Sequence, residues 1–89
     1  MTITIAPFLA ISDEVPWSDH VTDYDRAHFD TYLRLLDATA EGADADEIIR
    51  IVLKIDPSKD PDRARKVFDS HLKRARWMTE VGYRDLLDS

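Results

Sequence analysis

The sequence predicts an all-α domain, on three observations. Apolar residues recur at helical spacing in three stretches after Thr22. Each stretch opens on a capping residue, namely Thr22 or Asp23, then Asp44, then Asp60 followed by Pro61. Gly42, Gly82 and the Asp56-Pro57 and Asp60-Pro61 steps punctuate the pattern, and there are no internal repeats or low-complexity stretches.

Residues 1–21 read as an N-terminal arm, separate from a helical domain over residues 22–89. The arm holds Pro7 and Pro16, three acids, and scattered apolar groups: Ile3, Ile5, Phe8, Leu9, Ile11, Val15 and Trp17. It lacks helical period, although "TITI" alternates briefly. Two readings stand: a flexible tail that lays Trp17 or Phe8 on the domain, or an arm that helps grip a partner.

Helix one follows. Thr22 or Asp23 caps it, Asp25 adds negative charge to its first turn, and "YDRAHFDTYLRLLDAT" carries it to about Thr39. Gly42 is a natural stop. Asp44 caps helix two, with Glu47 three residues later, close to a capping box. The run "ADEIIRIVLKI" is rich in β-branched residues and could be a buried strand. Its cap, its length and the spacing of Ala45, Ile48, Ile49 and Val52 favour a helix. Asp56-Pro57-Ser58-Lys59 reads as a turn. Asp60 then caps helix three with Pro61 at the first position, where a missing N–H is harmless. That helix is expected to run to about Val81 and end at Gly82, with "YRDLL" adding one more turn.

Length allows one domain with a compact core. The chain has 12 Lys and Arg against 18 Asp and Glu, a formal charge of −6. Such a surface repels polyphosphates at long range, so nucleic-acid binding would need a local patch. Absent cysteines remove disulfides and thiol chemistry, and fit a reducing cytoplasm. The apolar opening has no Lys or Arg before it and makes a poor signal peptide. No run approaches the ~18 apolar residues of a membrane span. A cytoplasmic location is expected.

On a helical wheel, Ala64, Val67, Phe68, His71, Leu72, Ala75 and Met78 share one side of helix three, which is its core face. The other side carries Arg65, Lys66, Asp69, Ser70, Lys73, Arg76, Trp77 and Glu80, with Arg63 and Arg74 at one edge. Residues 57–76 hold seven basic and three acidic side chains, a local +4. Trp77 points away from the core, so the tail or the arm should cover it; otherwise it is an exposed anchor. Helix one is apolar on two faces, Phe29, Tyr32, Leu33 and Leu36 on one, and Tyr24, Ala27, Leu35 and Ala38 on the other. One-sided packing needs an arc of only about 100° or slightly more. The excess is either covered by the arm and tail or is a docking surface.

The chemistry of an enzyme is not legible. His20, His28 and His71 form no close pair for a metal. A calcium-loop reading of "DPSKDPDRARKV" fails, because Pro61 stands at the turn glycine and Val67 at the final bidentate acid. Phosphate-cradling glycine loops and a serine elbow are absent. No catalytic, cofactor-binding or metal-ligating residues are assigned, and no cofactor is expected.

Direct DNA reading is the nearer question. The start of helix three would face bases in a helix-turn-helix, and Arg63, Arg65, Lys66, Lys73 and Arg76 make the candidate nucleic-acid face. Asp62 and Asp69 oppose it, and Asp69 is placed to pair with Arg65 or Lys66 and with Lys73. Counterion release needs several unopposed cations, and few remain.

The runs "TDYDRAHFDTYLRLLDA", "IVLKIDPSKDPDRARKVFDSHLKRARWM" and "GYRDLL" resemble, over about residues 16–88, a proteobacterial family described as an extended-turn variant of helix-turn-helix. The resemblance implies two kinds of member. FseA-type activators of conjugative-element transfer join the domain to a separate N-terminal domain and bind DNA. Stand-alone antiactivators of the QseM type block the activator. The acidic charge and the lack of room for a second domain align this chain with the second kind. The implied partner is the activator's N-terminal domain, with a LuxR-type quorum-sensing regulator as another. The excess apolar face of helix one then nominates Tyr24, His28, Tyr32 and Leu35, helped by Trp17, as the partner-binding surface. DNA is not expected as a partner, nor is a membrane.

Overall fold

The computed structural model describes residues 11–88, and among them every regular element is helical. In order these are α1 (Asp23–Ala27), α2 (Phe29–Ala40), α3 (Ala45–Ile48), a π-helical turn (Ile49–Leu53), α4 (Pro61–Trp77), a second π-helical turn (Met78–Gly82) and α5 (Tyr83–Asp88). The expected placement of Phe8 and the alternation of "TITI" lie outside the described residues. No described helix is long and apolar enough to cross a membrane.

The expected caps form. Thr22 accepts from the Asp25 N–H while the Asp25 carboxylate accepts from the Thr22 N–H, a reciprocal capping box. Asp44 accepts from Asp46 N–H, and Asp60 from Arg63 N–H with Pro61 at the first position. Gly42 ends α2 at φ 81°; its N–H bonds to Thr39 and that of Ala43 to Ala38, a Schellman closure.

Three boundaries differ from expectation. Helix one is not continuous to Thr39: His28, at φ −119° and ψ 18°, separates α1 from α2. Helix two widens into a π turn and ends at Lys54, a non-glycine residue in the left-handed region at φ 59°. Gly82 does not end helix three. The chain passes through it into α5, and a Cβ there would sit 2.6 Å from the Trp77 ring and 2.8 Å from Met78 Sδ. Gly82 serves close packing rather than termination.

The connector from α3 and its π turn to α4 spans residues 54–60. It is held by Asp56, whose carboxylate accepts from both the N–H and the hydroxyl of Ser58 at 2.9 and 2.6 Å. These bonds hold the Asp56 carboxyl below the usual carboxylate range. This is longer than the three or four residues of an ordinary helix-turn-helix turn.

The core forms as the wheel predicts, with Ala64, Val67, Phe68, His71, Leu72, Ala75 and Met78 of α4 and its π turn all buried. One cluster joins Leu35, Ile48, Ile49 and Leu53 to the first half of α4. A second joins Val21 and Tyr32 to Ala75 and Met78, and Leu36 packs against both. Arm residues take part: Val15 and Val21 are buried and Ile11 packs on the first cluster.

Candidate nucleic-acid and protein interfaces

The outward side of α4 is where the expected nucleic-acid face lies, and most of its cations are engaged. Arg63 Nε is 2.7 Å from Asp13, and Lys66 Nζ is 3.2 Å from Glu14, both partners belonging to the arm. Arg65 pairs with Asp69 one turn on at 3.2 Å and lies over the Phe68 ring. Lys73 stands 5.3 Å from the Trp17 ring centroid. Lys73 and Arg76 have no ion-pair partner among the described residues. Exposed pairs of this kind add under about 1 kcal/mol each to stability. Their weight lies in what they occupy.

Arg74, expected at the edge of that face, is instead fully buried. Its Nε and Nη2 donate to the two carboxylate oxygens of Asp25 at 3.0 and 2.7 Å. Nη1 donates to the Ser18 carbonyl and Nη2 also to that of His20. The guanidinium lies 3.8 Å from the Trp77 ring centroid and 4.7 Å from that of Trp17. Tyr32 donates to Asp25 at 2.8 Å. Burial pushes the Asp25 carboxyl up, but the bonds from Arg74, Thr22 and Tyr32 outweigh it and hold it below the usual range. Burial together with Asp25 pushes the Tyr32 hydroxyl far above its ordinary value. Sequence reasoning missed this pair. The one signal was Asp25 standing three residues after Thr22, where a capping box would pin its carboxylate.

Trp77 is half-buried, against the edge of Trp17 at 5.9 Å, so the arm meets it as expected. Between these rings and Lys73, Arg76 and Glu80 lies an open cleft of about 460 Å³.

The nominated partner-binding residues are not brought together as one surface. Tyr32 and Leu35 are 2% and 0% exposed and belong to the core. His28 is buried, stacks on Tyr24 and bonds to the Tyr24 carbonyl through Nδ1. Tyr24 is half-buried, its hydroxyl 2.6 Å from His71 Nε2 and accepting from Ser12 N–H. His71 Nδ1 donates to the Val67 carbonyl at 2.7 Å, so Nε2 is the acceptor for Tyr24. Burial keeps the His71 ring below the usual imidazole value and raises Tyr24. Trp17 alone of the five is exposed, at 51%.

A different apolar surface is open. Phe29, Tyr32, Leu33, Leu36, Met78 and Tyr83 line a groove of about 290 Å³, with Leu33 60% and Tyr83 45% exposed. Leu35 turns into the core while Leu33, expected on the same face as buried Tyr32, stays outside.

A capped long helix carrying outward cations, reached from a shorter helix through an extended turn, makes a small all-α domain of helix-turn-helix-like arrangement. Residues 9–88 match the RovC_DNA-bd family, described as T6SS, transcription factor, DNA binding domain, and the chain belongs to that family. Among curated proteins there is no match. The family sets the chain among transcription-regulatory domains and does not separate DNA readers from stand-alone antiactivators.

Proposed function

We propose that the chain is an antiactivator of the QseM type. It captures the N-terminal domain of an FseA-type transcriptional activator by imitating that activator's own helix-turn-helix domain. Genes for excision and transfer of a conjugative element are thereby left untranscribed, without a catalytic step or cofactor, and a LuxR-type regulator is a second target. One observation carries the reading: Arg63, Arg65 and Lys66, three of the five cations that should face DNA, are paired within the chain, while the groove around Leu33 and Tyr83 is left open. The docking side is assigned to that groove, whose lining includes the nominated Tyr32, 2% exposed, but not Leu35, which is 0% exposed.

The test is calorimetric titration of the activator's N-terminal domain with the full chain. Leu33→Asp should abolish the heat of binding, whereas Lys73→Gln with Arg76→Gln should retain it. Binding untouched by Leu33→Asp would remove the groove from the account. A DNA-reading role is the second reading, favoured by Lys73 and Arg76, which stand exposed on the outer side of α4. It requires that the Lys73, Arg76 variant lose duplex binding.

A further inference from the structure

The arm and α4 are far apart in sequence, yet the arm's acids lie on that helix's cations. Asp13 meets Arg63 across fifty positions, and Glu14 meets Lys66. Trp17 then lies against Lys73 and Trp77. Below them the path is fixed by the buried guanidinium of Arg74, which bonds to the carbonyls of Ser18 and His20, and by buried Val15 and Val21. At the other end the Ser12 N–H is tied to the Tyr24 hydroxyl. Residues 12–20 are thus held at both ends, and their acids fall where a phosphate backbone would meet the first turns of a recognition helix.

We propose that residues 12–17 are an autoinhibitory strap over the DNA-facing side of α4, with Asp13 and Glu14 standing in for two phosphates. Asp13 places one oxygen 2.7 Å from Arg63 and Glu14 one oxygen 3.2 Å from Lys66, cations that would otherwise release a counterion on binding DNA. The contacts are exposed and individually weak, so the strap is displaceable while its anchor at Arg74 stays. The proposal concerns α4 and duplex DNA and is independent of which protein the groove receives.

The full chain carrying Asp13→Asn and Glu14→Gln tests it, by fluorescence anisotropy of a labelled duplex across a salt series. A control carries Asp37→Asn and Glu41→Gln, exposed acids of α2 and its end with the same change in net charge. The strap variant should bind about tenfold more tightly at low salt than the parent. Its log K against log salt should steepen by about 1.8, two phosphates at roughly 0.9 each. The control should change by much less and keep the parent's slope. Equal gains in both variants would mean net charge alone acts, and would overturn the strap. No gain in the strap variant would overturn it too. Neither result touches capture of the activator domain, which the groove variant Leu33→Asp reads separately.

Discussion

Arg74 shows how one side chain can belong to two classes by sequence and to one by structure. Its position on the helical wheel is an edge, and its charge suggests phosphate. Once α1 and the arm close over it, its donors go to a carboxylate and two carbonyls, and two indole rings flank it. Removing one member of such a pair leaves the other charge buried and unpaired, which costs about 3–5 kcal/mol. Arg74→Met should therefore lower stability by that amount in urea unfolding and free the arm around Ser18 and His20. A loss below about 1 kcal/mol would mean that water reaches Asp25 without it.

At the scale of elements, the two glycines separate two jobs. Gly42 has open space around it and a positive φ, so a Cβ there is strained by backbone conformation alone. Gly82 is crowded by Trp77 and Met78. Gly42→Ala should cost roughly 1 kcal/mol, while Gly82→Ala should cost roughly 1–3 kcal/mol by overpacking. Gly82→Ala should also change near-ultraviolet circular dichroism through Trp77; an unchanged tryptophan band would show that the ring yields freely. Caps, turns and the core stripe of α4 were legible because each depends on residues within one or two turns. The breaks were not. "RAHFD" contains no proline or glycine, and His28 leaves helical geometry because its ring packs on Tyr24 and bonds to its carbonyl. His28, Tyr32 and Leu35 are all buried, so the docking residues nominated from helix one fall on its core side rather than on a surface.

For the whole molecule, stability against acid should fall in two stages. Burial depresses His71, so as pH drops the unfolded chain takes up that proton first. The stability it contributes is complete above about pH 6.5 and is lost as pH falls toward its folded value. Asp25 is likewise depressed, so its contribution is complete above about pH 4 and is lost as pH falls through its folded value. Urea midpoints measured from pH 8 downward should decline first in the histidine range, and His71→Gln should flatten that stage alone. A wild-type midpoint constant between pH 7.5 and 5.5 would show that His71 is protonated as readily folded as unfolded.

The sequence by itself determined the helical class, the order of helices, their caps and the buried stripe of α4. These rest on hydrogen bonds and periodicities that act over a few residues. Only the tertiary structure decided which charges are free. An arginine's partner can stand fifty positions away, as Asp13 does from Arg63 and nearly so Asp25 from Arg74. No local pattern encodes that distance, so the charge available to DNA is set by where the arm lies, not by composition.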